Sequence, residues 1–234
     1  MKEDMERGKR VKEMLLRLEP DLRAVEEQLK NILSQIPNLP ADDVPLGKDE
    51  SGNVEIKKWG KIKPASGWTF KPKDHLELGE SLGIIDVQRA AKVSGSRFAY
   101  LKGKGALLEL ALVNFAVERL LKKGFIPIIP PAINKKEIEW GLGYGEHGGW
   151  ENMYLFEKDK INFVASSEHT IIPQHKDEIL AEKDLPLRYL GFSTCFRREA
   201  GTHGKDTKGF FRVHQFDKLE MNVFTVADVK VSDK

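Results

Sequence analysis

Residues 187–224 read LRYLGFSTCFRREAGTHGKDTKGFFRVHQFDKLEMNVF and decide the fold of the chain. Two segments rich in β-branched and aromatic residues flank a polar loop that contains Gly201, Gly204 and Gly209. Glycine-containing loops between such segments are typical of β-hairpins. We therefore predict two antiparallel strands joined by a long loop.

The polar residues of this hairpin suggest a binding surface. Because successive strand residues point to opposite faces, Arg197 and Glu199 are predicted to share one face of the first strand. One face of the second strand would carry Arg212, His214, Phe216, Lys218 and Glu220. Arginine binds phosphate in a bidentate manner, an aromatic ring can stack on a base, and carboxylates accept hydrogen bonds from amines. The set suits a nucleoside triphosphate beside an amine-bearing substrate. The alternative is a solvated amphipathic hairpin with Phe196, Val213 and Leu219 turned inward.

The composition is that of a globular protein rather than a disulfide-rich or membrane one. The chain has 234 residues, 40% of them hydrophobic and 32% charged, with a net charge of +2. The single cysteine, Cys195, allows no disulfide within the chain and no cysteine metal cluster. No apolar run approaches the roughly 20 residues that span a bilayer. A reducing, cytoplasmic setting fits these features.

The N-terminal segment predicts a long helix with a narrow apolar seam. Apolar residues recur at spacings of four and three from Lys9 to Ile36, at Val11, Leu15, Leu18, Leu22, Val25, Leu29, Ile32 and Ile36. This heptad pattern favours pairing with another helix, although a single helix lying on a core is the alternative. Pro20 interrupts the seam and, at a cost of about 3 kcal/mol inside a helix, predicts a kink or a restart.

The remaining elements follow from local signals. A turn-rich linker and a strand at Val54–Trp59 precede a domain boundary near Gly60. Residues 90–101 predict a turn followed by a strand, and Ala106–Lys122 predicts a helix with a broad apolar face. Gly103 and Gly105 before that helix indicate a tight turn more than a phosphate site. Ser166 or Ser167 could cap a following helix.

The stretch 196–220 also resembles a known family. Phe196-Arg197-Arg198-Glu199, the glycine-rich loop and Arg212-Val213-His214-Gln215-Phe216-Asp217-Lys218-Leu219-Glu220 resemble motif 2 of class II aminoacyl-tRNA synthetases. The wording Cys-Phe-Arg-Arg-Glu-Ala-Gly and His-Gln-Phe-Asp-Lys-Leu-Glu is specifically similar to seryl-tRNA synthetases. The match runs without a gap for more than 30 residues.

The resemblance implies an α+β fold. It implies a class II synthetase-type antiparallel sheet flanked by helices and preceded by a long coiled-coil-type helix. Residues 1–60 would be part of a tRNA-binding helical arm with its linker, and residues 61–234 part of the catalytic domain. The helix and strand from Ala106 to Pro131 resemble motif 1, the dimer interface, and imply a homodimer. Motif 3 is absent, so the chain is expected to be truncated at both ends.

The resemblance also implies an activity and its partners. A serine–tRNA ligase activates serine with ATP, accompanied by Mg²⁺, and transfers it to tRNA(Ser) and, in some cases, tRNA(Sec). Arg197 and Arg212 would be catalytic. The implied ATP-binding residues are Arg197, Arg198, Glu199, Arg212, Val213, His214, Gln215 and Phe216. The implied serine-binding residues are Ser166, Ser167, Glu168, Arg197 and Glu220. The implied tRNA-binding residues are Lys9, Arg10 and Lys12.

Two other functions remain open. The chain could dimerise and bind tRNA or nucleotide without catalysis, or load an amino acid onto a carrier protein, although the heptad segment argues against the latter. Residues 140–147, with alternating glycines, are predicted to form a mobile loop near the substrate entrance. His203 and His214 lie eleven residues apart with no third ligand at metal spacing, so no metal site is predicted.

Overall fold

The computed structural model describes residues 2–37, 39–61, 67–145, 149–200 and 210–228, with only the backbone of Lys2 and Glu3. The loop glycines Gly201, Gly204 and Gly209, together with His203, lie outside these ranges. The chain divides into two compact units, Met1–Gly67 and Trp68–Lys234. The sequence predicts this boundary near Gly60.

The first unit is dominated by one long helix, α1 (Lys2–Ser34). The predicted helix is confirmed, but the predicted restart at Pro20 is wrong because α1 continues through that residue. Proline lacks one backbone N–H, and on an exposed helix the carbonyl that loses this partner can be hydrated. All eight seam residues from Val11 to Ile36 are exposed, so the seam is available to a partner helix.

The linker that follows α1 contains little regular structure. Asp49 caps a single 3₁₀ turn, Glu50–Gly52, by accepting a hydrogen bond from the Ser51 N–H. The predicted strand at Val54–Trp59 is wrong: these residues form no strand, and Ile56 and Trp59 are almost fully exposed. A strand requires a neighbour for its backbone groups, and this segment has none among the described residues.

The second unit begins with short helices and a two-stranded ladder. Helix α2 (His75–Ser81) starts at a capping box formed by Asp74 and Glu77. Strands β1 (Ile85–Asp86) and β2 (Tyr100–Leu101) pair antiparallel. Between them lies α3 (Val87–Ser94), capped by Asp86. The sequence missed α3, but the predicted turn and strand follow it, as a turn at residues 96–97 and as β2.

The main helix of the second unit is α4 (Lys104–Leu121), as predicted. Gly103 precedes it with φ 51°, in the left-handed region that favours glycine. A Cβ on Gly105 would lie 2.7 Å from the carbonyl oxygen of Ile84, so the close approach of this backbone requires glycine. Both glycines therefore have a structural reason that involves no phosphate.

Two three-stranded sheets form the centre of the second unit. In the first, the order is β3 (Ile126–Ile128), β7 (Leu187–Phe196) and β8 (Gln215–Phe224). Strands β7 and β8 form the predicted antiparallel hairpin, whereas β3 joins β7 in parallel. The second sheet has the order β4 (Ile133–Lys135), β6 (Ile161–Phe163) and β5 (Leu155–Phe156), with antiparallel pairs throughout.

Helices α5 (Lys136–Gly141) and α6 (Glu168–Ile171) complete the second unit. Its buried apolar residues are Ala90, Met153, Val164, Ile171, Leu190 and Cys195. Burial raises the pKa of the Cys195 thiol. The apolar face predicted for α4 is present but partly uncovered, because Leu107, Leu110 and Phe115 are exposed. None of the helices in the described ranges combines the length and apolarity needed to cross a bilayer.

Candidate active site

The register of the hairpin determines which side chains share a surface. Gly191 lies opposite Glu220, Ser193 opposite Lys218, and Cys195 opposite Phe216. Residues directly opposite each other in an antiparallel pair point to the same face. The predicted shared face of Phe216, Lys218 and Glu220 is therefore present, and a glycine and two small buried residues lie beside it.

The remaining hairpin residues are placed differently from the prediction. Arg197 and Glu199 follow the end of β7, while Arg212 and His214 precede β8, so strand alternation does not set their directions. Hydrogen bonds instead hold the segment after β7 against the segment before β8. The Arg197 N–H donates to the His214 carbonyl oxygen over 3.0 Å, and His214 Nδ1 lies 2.9 Å from the Arg197 carbonyl oxygen.

A cavity of about 1010 Å³ opens at this end of the hairpin. Its lining includes six of the predicted ATP-binding residues: Arg197, Glu199, Arg212, Val213, Gln215 and Phe216. The guanidinium carbon of Arg197 lies 5.1 Å from the centre of the Phe216 ring. Arg212 Nη1 lies 3.0 Å from Glu199 Oε2. The cavity thus brings these two guanidinium groups, the Glu199 carboxylate and the Phe216 ring to one volume, and the carboxylates of Glu109 and Asp217 also line it.

Two predicted ATP-binding residues lie outside this lining. The backbone N–H of Arg198 donates to the Asn152 carbonyl oxygen over 2.8 Å, and the residue is otherwise exposed. The ring of His214 packs beside Phe98 and Tyr154, at centroid distances of 5.3 and 6.2 Å. In this structure neither Arg198 nor His214 lines the cavity.

A second polar cluster lies on the face of β8 that carries Glu220. Lys218 Nζ donates to Ser166 Oγ over 3.0 Å, and Ser166 Oγ donates to Glu220 Oε2 over 3.2 Å. Lys218 and Glu220 also form a direct ion pair. Ser166 is nearly completely buried. The structure thus brings together two of the predicted serine-binding residues, Ser166 and Glu220, with a lysine that the prediction did not include.

The predicted helix-capping role of Ser166 or Ser167 is wrong. Ser167 occupies the position before α6, but its side chain makes no capping hydrogen bond. Its hydroxyl is buried and has no hydrogen-bond partner among the described residues. A Cβ on Gly191 would lie 2.5 Å from that hydroxyl oxygen. The absence of a side chain at residue 191 therefore allows α6 to pack against β7.

Tyr144 covers Glu168, the third residue of the predicted serine-binding segment. Its hydroxyl donates to Glu168 Oε1, and its ring stacks on His169 at 4.1 Å with an interplanar angle of 15°. Burial and the neighbouring Glu168 carboxylate raise the pKa of Tyr144 well above its ordinary value. This residue belongs to the predicted mobile loop 140–147, whose Glu146 and His147 lie outside the described residues.

A buried polar network holds His169, the residue on which Tyr144 stacks. Glu139 is fully buried and His169 is 2% exposed. Glu139 Oε1 lies 2.7 Å from His169 Nδ1 and accepts a hydrogen bond from Asn162 Nδ2 over 2.8 Å. Asn134 Nδ2 donates to the His169 carbonyl oxygen over 3.0 Å. Sequence reasoning missed this network because Glu139 lies between charged and apolar neighbours that give no sign of burial.

Comparisons with known proteins agree with this geometry. Residues 154–234 match the family model "tRNA synthetase class II core domain (G, H, P, S and T)". The chain is 53% identical to serine–tRNA ligase 1 of Streptomyces avermitilis over 196 residues, which cover 84% of this chain and 46% of the relative. It is 42% identical to the serine–tRNA ligase of Rubrobacter xylanophilus over 224 residues, covering 96% and 52%.

Two solved structures that are similar to this chain are also seryl-tRNA synthetases. The seryl-tRNA synthetase of Pyrococcus horikoshii complexed with ATP superposes with a TM-score of 0.81 at 42% identity, covering 88% of this chain and 50% of that one. The cytoplasmic serine–tRNA ligase of Naegleria fowleri in complex with AMP gives 0.83 at 32% identity, covering 92% and 50%.

Residues 154–234 therefore match a class II tRNA synthetase core domain, and solved seryl-tRNA synthetases share the fold. The chain as a whole is similar to serine–tRNA ligases, and it spans about half the length of the curated relatives it matches.

Proposed function

We propose that this chain carries the ATP- and serine-facing part of a serine–tRNA ligase. The observation that carries the proposal is the convergence of Arg197, Glu199, Arg212 and Phe216 on one cavity. Support also comes from relatives whose structures were solved with ATP or AMP.

The proposed reaction has two steps. A carboxylate oxygen of serine attacks the α-phosphorus of ATP, and pyrophosphate leaves with the electrons of the broken P–O bond. A terminal ribose hydroxyl of tRNA(Ser), or of tRNA(Sec), then attacks the seryl carbonyl, loses its proton to solvent and displaces AMP. Catalysis depends mainly on positioning and charge neutralisation. The implied setting is the cytoplasm.

The cavity residues have distinct proposed roles toward ATP. Arg197 neutralises the α-phosphate and the serine carboxylate, and Arg212 binds the outer phosphates. Glu199 accepts a hydrogen bond from the adenine amino group, while Phe216 stacks on the base. Mg²⁺ would enter with the triphosphate, and the carboxylates of Glu109 and Asp217 on the cavity wall are oxygen ligands of the type it prefers.

The polar cluster beside the cavity is proposed to bind serine. Glu168 and Glu220 supply negative charge for the substrate ammonium group, and Ser166 and Ser167 supply hydroxyl groups. A site that hydrogen-bonds a substrate hydroxyl can reject an analogue lacking it by factors on the order of ten thousand. Discrimination between serine and alanine would follow from such contacts.

Replacing Glu220 with alanine should weaken serine activation much more than ATP binding. Loss of a hydrogen bond to a charged group costs about 1.5–3 kcal/mol, which is roughly 10- to 150-fold in the KM for serine. The assay is serine-dependent pyrophosphate exchange. The chain is mixed with a separate polypeptide, the part of the Streptomyces avermitilis relative that this chain does not match, and the mixture is called the complemented chain. Glu182→Ala, on an exposed turn, is the control. An unchanged serine dependence in Glu220→Ala would rule out the assignment.

The N-terminal helix is proposed to bind tRNA through Lys9, Arg10 and Lys12. Each lost phosphate contact should reduce the slope of log affinity against log salt by about 0.9. Replacing all three residues with alanine should therefore flatten the salt dependence of tRNA binding in filter-binding assays. The control replaces three exposed lysines of the second unit, Lys158, Lys176 and Lys183. Equal salt slopes for the two triple variants would contradict the role.

A homodimer is proposed through the region from Ala106 to Pro131. This region exposes large apolar side chains on α4, on β3 and directly after β3, namely Leu107, Leu108, Leu110, Leu112, Phe115, Leu121, Ile126 and Ile129. Extended exposed apolar surface commonly marks an interaction site. The second copy of the chain is the occupant that this surface would take.

A further inference from the structure

Glu199 has an unusual backbone conformation for a residue with a side chain. Its φ is 51°, in the left-handed region, where residues other than glycine are strained. Such conformations persist only where surrounding contacts over-determine them, and they concentrate at functional sites. The contacts that hold Glu199 therefore bear on what its carboxylate does.

Asn152 holds the backbone N–H groups of the two residues that flank Glu199. Its carbonyl oxygen accepts from the Arg198 N–H over 2.8 Å, and its side-chain oxygen Oδ1 accepts from the Ala200 N–H over 2.9 Å. The two hydrogen bonds that Asn152 accepts thus fix the backbone at Arg198 and Ala200, the residues on either side of Glu199.

Arg97 supplies the third contact. Its Nη1 donates to the Glu199 carbonyl oxygen over 3.2 Å. Its own carbonyl oxygen accepts from the His214 N–H over 3.0 Å, so one residue joins both arms of the hairpin. Arg97 is itself left-handed, with φ 63°. The next two residues, Phe98 and Ala99, line the same cavity as Glu199, so this turn is part of the cavity wall.

We infer that Arg97 and Asn152 are positioning residues that fix the Glu199 carboxylate for recognition of a purine bearing a 6-amino group. The inference rests on the proposed role of Glu199 in the ATP site. Hydrogen bonds weaken steeply with distance and misalignment, so an acceptor contributes to base selection only if its backbone is held. Loss of either contact would remove selection for the amino group and leave phosphate binding by Arg197 and Arg212 intact.

The test compares two nucleotides that differ only at the amino group. Dissociation constants for ATP and for purine riboside triphosphate, which lacks that group, are measured by calorimetry on the unmodified chain. We expect a preference for ATP of roughly tenfold or more. In Asn152→Ala and Arg97→Ala the preference should fall below about threefold, while the affinity for purine riboside triphosphate changes less than about twofold.

Conservative variants separate positioning from a general structural role. Asn152→Asp retains an oxygen acceptor for the Ala200 N–H, and Arg97→Lys retains a cationic donor, so each should recover part of the ATP preference. Arg89→Ala removes an arginine paired with Asp86 away from Glu199 and should leave the preference unchanged. Equal loss of affinity for both nucleotides in the alanine variants, or an unchanged preference, would overturn the positioning role of Arg97 and Asn152. A wild-type chain that does not prefer ATP would instead overturn the role of Glu199 itself.

Discussion

Replacement of Glu139 with alanine is expected to lower the free energy of unfolding by about 2–6 kcal/mol, because two buried polar groups lose a hydrogen-bond partner at about 1–3 kcal/mol each. Glu139 Oε1 serves both His169 and Asn162. Removing it would leave a buried imidazole and a buried amide without their partner. Urea denaturation followed by circular dichroism measures the change.

The same helix offers a matched control. Glu137 precedes Glu139 by two residues and has an exposed side chain, so Glu137→Ala should change stability by less than about 0.5 kcal/mol. Glu139→Gln keeps an oxygen acceptor and should cost less than Glu139→Ala. Because Tyr144 stacks on His169 and hydrogen-bonds Glu168, Glu139→Ala should also weaken serine binding. If Glu139→Ala and Glu137→Ala were equally stable, the buried network would not contribute to stability.

Replacement of Arg197 with alanine is expected to reduce pyrophosphate exchange by the complemented chain about 10²- to 10³-fold, the range for loss of one preorganised transition-state donor. Arg197 lies where β7 ends, with its guanidinium against Phe216 and its Nε 3.4 Å from the Ala165 carbonyl oxygen. It is therefore held between the nucleotide cavity and the segment that carries Ser166.

Arg188→Ala is the control for Arg197→Ala. Arg188 lies on β7, is exposed, and pairs with Val223 at the far end of the hairpin. Its removal should leave exchange within about twofold of the unsubstituted chain. A similar exchange rate in Arg197→Ala and Arg188→Ala would refute a catalytic role for Arg197.

Local sequence patterns predicted the elements that depend on local chemistry. The hairpin of β7 and β8, the shared face of Phe216, Lys218 and Glu220, and the helix α4 follow from alternation, apolar periodicity and glycine placement. The same reasoning was wrong at Val54–Trp59, where propensity was present but no strand lay alongside. At Pro20 it overestimated a local penalty that a 33-residue helix tolerates.

The missed parts of the site depend on contacts between distant residues. Glu139 and His169 are 30 residues apart, and Arg97 meets Glu199 across 102 residues. Neither pairing leaves a periodic signal in a single sequence. Arg197 and Glu199 line one cavity, in agreement with the predicted shared surface, but strand alternation is not the reason. The strand ends at Phe196, and hydrogen bonds that Asn152 accepts and Arg97 donates then set the path of the chain.

Serine-dependent pyrophosphate exchange tests the central claim most directly, namely that this chain carries the ATP- and serine-facing part of a serine–tRNA ligase. The chain spans about half the length of the relatives it matches. We predict weak ATP binding and little or no exchange by the chain alone, with exchange restored in the complemented chain and lost again in Arg197→Ala. Exchange by the chain alone at the rate of a complete synthetase would contradict the claim that it supplies only part of the site. The claim would be contradicted altogether if the folded chain bound no ATP and the complemented chain showed no exchange.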